Sequence, residues 1–381
     1  MTILKRLSLM ILLLTNACGD SGNNQYANSP IQGLKLSGSV YKGMTFTGVN
    51  IDQSYDVSKL YFYDFSTGLV NTIHNAGDRD PIVFANETNI FHFSRQTDFQ
   101  FFRFFSKSSG NNFELKYEVE INNIQPGDPW DFEQTSATQA VLAGLNSGLQ
   151  TIDLSTGKIE NAFPENSFTT SNSFSALYKK GSDLFAVTNG LNNGEADNSE
   201  SLYHMTVGLD GTLTPGSQDA STGVINGTSF TGSNVTTFVE TTDNKPYLLS
   251  LCNASLQNCK SAAYKLDPDT EKLTLASDFA NFEGSFHYQI VGGANSFAYA
   301  HIQLGDEYKI AKIDLANGEV IKVIHDLKGN PRPVALMYDK STSRLFVGDM
   351  NELKGLMYVF QKDILLDSFE LDTVPFNGEL F

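Results

Sequence analysis

The sequence predicts an all-β chain folded as a ring of seven four-stranded sheets, with six or eight sheets as the alternatives. Three observations predict it. Beyond its first thirty residues the chain has almost no helical periodicity. It is a succession of short runs rich in Val, Ile, Phe, Tyr and Thr, broken by clusters of Gly, Asn, Asp and Ser, as antiparallel strands and their turns require. A strand, a polar turn and a second strand recur at 60–74 (LYFYDFSTGLVNTIH), 149–163 (LQTIDLSTGKIENAF), 263–277 (AYKLDPDTEKLTLAS) and 309–324 (KIAKIDLANGEVIKVI), with weaker copies at 101–119, 202–215 and 356–371. The residues ending the first strand of each copy are Asp64, Phe105, Asp153, Leu209, Asp267, Asp314 and Phe360, spaced 41 to 58 residues apart. A second landmark keeps a comparable period: openings such as DPIVFA (80–85), DPWDFE (128–133) and RPVALMY (332–338), each followed by a buried-looking strand. A repeated four-stranded unit of this length is the blade of a β-propeller, in which neighbouring blades cover faces that no blade can cover alone.

Taken in order, the chain opens with Lys5 and Arg6 and an apolar run over 7–15 that is too short to span a bilayer. That is the layout of a secretory signal peptide. It ends in Leu14-Thr15-Asn16-Ala17-Cys18, which resembles the lipobox of bacterial lipoproteins. The resemblance implies cleavage before Cys18 and acylation of that residue, which anchors a protein stably once two or more chains are buried. Gly19 follows, where an Asp would retain such proteins at the inner membrane, so the resemblance implies the outer membrane. The expected organisation is a signal peptide over 1–17, a flexible tether over 18–31, and the propeller over 32–381.

Apolar residues make up 40 % of the chain and charged residues 18 %, which excludes a disordered chain. Acidic side chains outnumber basic ones 43 to 26. Loss of residues 1–17, which hold Lys5 and Arg6 and no acid, leaves 24 basic against 43 acidic groups, a net −19. Such a surface repels nucleic acid and anionic lipid, so the membrane is expected to be met through the lipid anchor only.

In the first blade, 34–41 and 44–51 are expected to supply strands. One of these, or the tail 374–381, is expected to complete the last blade and close the ring, because an open ring leaves two exposed sheet edges. The aromatic run 99–105 (FQFFRFF) reads as two-sided burial between blades 2 and 3. Cys252 and Cys259, paired in an exported chain, read as a disulfide closing a short loop. The IDLSTGK and IDLANGE turns resemble bacterial propeller repeats of the YVTN and quinoprotein-like superfamily, and the resemblance implies the fold more than an activity. Asp64, Asp153, Asp267 and Asp314 are assigned to turn chemistry, as acceptors for backbone N–H groups.

Function is expected on the loops that join one blade to the next and the second strand to the third, since loops on a rigid ring vary without harming the core. The candidate face there comprises Arg79, Asp80, Asp128, Trp130, Glu195, Asp197 and Arg332. The loop 189–201 offers oxygen ligands as calcium requires, without the spacing of a calcium loop, and reads as a solvated acidic loop; no cofactor is expected. The histidines form no HxH or HExxH pair, and no GxSxG, Walker or dinucleotide motif occurs. His287 and His301 fall on adjacent strands of blade 6, where they can approach each other, and are assigned a structural role. The reading is a non-enzymatic envelope propeller that binds a protein or glycan. The alternatives are an outer-membrane assembly accessory lipoprotein, or a propeller enzyme such as a lactonase or quinone-dependent dehydrogenase.

Overall fold

A computed structural model describes residues 31–381, apart from 50–57, 77–80, 95–100, 109–111, 121–128, 145–147, 163–173, 189–190, 193–194, 197–198, 216–223, 232–234, 243–245, 252–260, 329–334 and 352–353. Cys18, Cys252 and Cys259 therefore lie outside the described residues, and so does the lipobox.

The chain is a β-propeller of seven four-stranded blades, with no helix among the described residues. In blades 2 to 7 the four strands follow chain order from the channel outwards. Their inner strands are Ile82–Ala85, Pro129–Gln134, Phe174–Lys180, Val235–Glu240, Ser285–Gly292 and Leu336–Asp339. Blade 1 is different. Its inner strand is the C-terminal segment Val374–Leu380, paired antiparallel with Gly43–Val49 so that Met44 faces Leu380 and Val49 faces Val374. Ser58–Asp64 and Leu69–Ala76 complete it. The tail thus closes the ring by completing the first blade, whereas completion of the last blade was expected. Blade 7 already has four strands of its own, and the free edge lay on Gly43–Val49.

The expectation of a strand over 34–41 is also corrected. Only Ile31–Gln32 pairs, as a short fifth strand on the outer edge of blade 1. The chain then crosses from that edge to the channel as a strap: Leu36 N donates to Phe65 O at 2.7 Å, Val40 N to Ser341 Oγ at 3.1 Å and Lys42 N to Phe381 O at 2.8 Å. The widest repeat intervals have a local cause in blade 4. Its third strand, Ser199–Val207, extends beyond the blade, and Ser199 and Ser201 pair with Thr231 and Ser229 of an additional strand, Val224–Thr231.

Burial follows the ring. Among the described residues seven apolar clusters form, each shared by two adjacent blades. Between blades 1 and 7, for example, Phe46, Tyr61, Tyr63 and Phe65 pack against Met337, Phe346, Val359 and Phe369. The aromatic run is buried on two sides, but by different neighbours: Phe102 joins Phe132 of blade 3, and Phe105 joins Leu60 of blade 1. The run is part of blade 2 itself, so its alternate faces meet the blades on either side.

The turn acids act as expected. Asp64 accepts from Ser66 N at 2.8 Å, Asp153 from Ser155 N at 2.8 Å, Asp267 from Asp269 N at 3.1 Å and Asp314 from Ala316 N at 2.9 Å. The side-chain hydroxyls of Ser155 and Thr270, with these backbone bonds, hold the Asp153 and Asp267 carboxyls below their usual range.

Candidate functional site

The inner strands all run the same way along the channel, so the residues closing them gather at the end where each strand turns back in its hairpin. A cavity of about 310 Å³ opens there. Its polar lining is Tyr41, Glu240, Tyr338, Lys340 and Glu379, drawn from the strap and from the inner strands of blades 5, 7 and 1, and backed by apolar groups including Phe238, Ile290 and Leu336. Its size is that of a small-molecule site. Gly292 lies in the wall because the backbones of blades 5 and 6 nearly touch: a Cβ there would lie 2.1 Å from Glu240 O.

Two more acids share the channel. On Pro129–Gln134, Asp131 and Glu133 alternate with Phe132, which enters the apolar core between blades 2 and 3. Asp131 Oδ2 accepts from Leu177 N of blade 4 at 2.7 Å, and its Oδ1 from Phe132 N at 2.8 Å. A matching bridge links blades 1 and 2, where Val83 N donates to Asn377 Oδ1 at 2.8 Å.

Enclosure makes these carboxyls weak acids. Glu379 is exposed to channel water yet crowded by protein on all sides; desolvation by that crowding, with the charges of Asp131 and Glu133, pushes it up to about 8. Burial lifts Asp131 to about 7 against its two backbone hydrogen bonds. Glu133 rises to about 7 through burial and the charge of Asp131, opposed by Lys179. Burial and nearby carboxylates, Glu240 and Glu379 among them, also raise the Tyr41 phenol. Lys340 approaches Glu240 at 3.6 Å. The channel end therefore presents four carboxyls, two phenols and two ammonium groups. It can accept hydroxyl or ammonium protons at several points, and it disfavours an anion.

Of the residues predicted at the loop-bearing face, Trp130 is half-buried on the inner strand of blade 3. Glu195 lies in the short strand Glu195–Ala196, which pairs with Leu191–Asn192. Arg79, Asp80, Asp128, Asp197 and Arg332 lie outside the described residues. The cavity opens at the opposite end of the channel, and none of its lining was predicted. The available signal was an acid at alternate positions of an otherwise apolar inner strand, as in DPWDFE and in FNGEL at 376–380. Among the described residues no three histidine, cysteine or acidic side chains are placed to hold a metal ion together.

Neither a known protein family nor a curated protein matches the sequence. Solved structures do match the fold. A putative 6-phosphogluconolactonase from Bacteroides fragilis superposes with a TM-score of 0.59 at 12 % identity, over 90 % of this chain and 98 % of that one. The periplasmic gluconolactonase of Pseudomonas aeruginosa gives 0.58 at 11 % identity, over 89 % and 98 %. TolB from Acinetobacter baumannii gives 0.50 at 12 %, over 92 % and 68 %. At such identities the likeness establishes the propeller fold alone.

Proposed function

We propose that this protein is a lipid-anchored envelope propeller that binds a small, uncharged or cationic polyhydroxylated ligand, of the sugar class, without transforming it. The observation that carries the reading is the cavity at the hairpin end of the channel, where Glu240, Glu379 and Lys340 stand beside the rings of Tyr41 and Tyr338. Carboxyl groups accept hydroxyl hydrogen bonds when ionised and donate one when protonated, the ammonium group donates, and the Tyr41 ring covers the apolar face of a pyranose. The excess of carboxyls argues against phosphorylated sugars and sugar acids. An envelope address rests on the signal peptide and the Cys18 lipobox, and a periplasmic enzyme among the fold neighbours is consistent with it.

Calorimetric titration with neutral sugars, amino sugars and sugar acids tests the ligand reading. Saturable binding of the first two classes is expected, falling at least tenfold in Glu379→Ala and in Glu240→Ala. Equal binding of all three classes, or no loss in either variant, would overturn it. Labelling with palmitate tests the address, with incorporation expected in the wild-type chain and not in Cys18→Ser.

A second reading has one specific support. Asp131 and Glu133, poised at about 7, meet the requirement for a general base at neutral pH, so hydrolysis of a neutral lactone is its natural form. Turnover of aldonolactones that disappears in Glu133→Gln would favour it over simple binding.

A further inference from the structure

Blade 6 holds a second polar site, formed by residues that do not line the channel cavity. Its inner strand, Ser285–Gly292, is irregular: Phe286 faces Ile302 and Ile290 faces Ala300, so residues 287–289 all stand opposite the single residue His301. Such bulges re-aim side chains and recur beside functional sites. His301 is 1 % exposed, and neither of its ring nitrogens has a hydrogen-bond partner. His287 Nε2 and Gln289 Oε1 are also buried without a partner. The two imidazole centroids lie 4.5 Å apart, with the Tyr308 ring 5.3 and 5.8 Å from them.

Other buried histidines have charged side chains beside them. His204 stands 3.0 Å from both Asp183 and Glu271, His325 stands 2.8 Å from Asp349, and His92 meets Arg103 at 3.3 Å. Several buried polar atoms left without partners in one place call for an occupant. Gln289 Oε1 is an acceptor, His287 Nε2 is one when its Nδ1 donates to Gln303, and a neutral His301 adds one acceptor and one donor, so the acceptors converge on a cation or a proton donor. Imidazole nitrogens select borderline transition ions over calcium or magnesium, and neutral imidazoles alone hold zinc in known sites.

We propose that His287 and His301, with Gln289 beside them, form a binding site for one divalent transition ion of the zinc, nickel or copper(II) class. His287 is half-buried, and its exposed edge provides the way in from solvent. Burial lowers the proton affinity of both rings, reinforced at His301 by the neighbouring His287 and opposed at His287 by a hydrogen bond with Gln303. Two nitrogens and one amide oxygen leave coordination positions for water, and the ion is therefore exchangeable.

The test is copper(II) and zinc binding by the untagged full-length protein, with His287→Phe and His301→Phe, changes that a largely apolar setting tolerates, and His74→Gln as control. One copper(II) per chain is expected, with nitrogen hyperfine structure in its paramagnetic resonance spectrum, together with a zinc-dependent rise in melting temperature. Affinity should fall at least tenfold in both Phe variants and hold in the control. If either Phe variant fails to fold, the wild-type spectrum decides alone: a signal of the aqueous ion overturns the proposal. Undiminished binding by the folded variants overturns it too, and leaves buried water as the occupant. This site is independent of the channel cavity, so sugar titrations neither support nor remove it.

Discussion

Asp131 shows how one side chain joins two blades. Its carboxylate takes the Leu177 N–H of blade 4 at 2.7 Å, a bond that no backbone pairing replaces because inner strands of adjacent blades form separate sheets. Asp131→Ala leaves that donor unpaired and should lower stability by about 1–3 kcal/mol in denaturant titrations, whereas Asp131→Asn, which keeps an acceptor, should lose less. Gly318 is a second residue-scale constraint. It turns the outer hairpin of blade 6 with φ at +68°, and a Cβ there would sit 1.7 Å from Asp278 O of blade 5. The left-handed conformation alone makes Gly318→Ala cost about 1–3 kcal/mol, and the close approach adds to it. A change confined to the turn-acid network of Asp314 would be milder. At this scale the turn acids and their glycines were legible in the sequence because their job is local. The channel carboxyls were not, because an acid on a strand declares its surroundings only once other blades stand opposite.

The elements follow a similar division. Four-strand units were readable from turn spacing, but the pairing partner of the tail was not, since Gly43–Val49 and Val374–Leu380 are joined across almost the whole chain. Deletion of 374–381 should abolish the cooperative melt and produce aggregates by size exclusion, because it uncovers the edge of blade 1 and removes Glu379 together with the wall of the cavity. A truncated monomer melting within a few degrees of the full chain would refute that role. Packing between blades supplies the main burial, so Phe346→Ala, in the core between blades 1 and 7, should cost about 3–5 kcal/mol. Leu275→Ala, on an outer strand and 58 % exposed, should stay within about 0.5 kcal/mol. The predicted two-sided burial of the 99–105 run came from its unbroken apolar character. Which blades receive each side depends on the handed order of the ring, which a linear pattern does not contain.

For the molecule as a whole, the channel sets a pH dependence. Glu379, Asp131 and Glu133 keep protons in the folded state to about 8, 7 and 7, well above their ordinary values of 4.5, 3.8 and 4.5. The folded chain therefore binds more protons than the unfolded one, and stability must fall as pH rises through this range. Buried His92, His287 and His301 act oppositely, but only below the ordinary histidine value of 6.5, above which the unfolded chain has also lost those protons. Between about pH 6.5 and 8 the carboxyls dominate. The melting temperature should decline across that window, and Glu379→Gln should flatten the decline; a melting temperature that rises there would contradict the enclosure of these acids. Bound cationic ligand in the cavity should shift the window downward by favouring the charged carboxylates.

Local sequence carries the strand content, the repeat and the turn chemistry, because each is written in residues close together along the chain. The number of blades was legible as seven from two registers of one period. Only the tertiary structure decided which strand closes the ring, that the cavity opens at the hairpin end, and that His287 and His301 meet across a bulge. Those outcomes depend on residues hundreds of positions apart being brought together around an axis, where burial changes what a carboxyl or an imidazole can do. Local pattern fixes the blade; closure of the ring fixes the site.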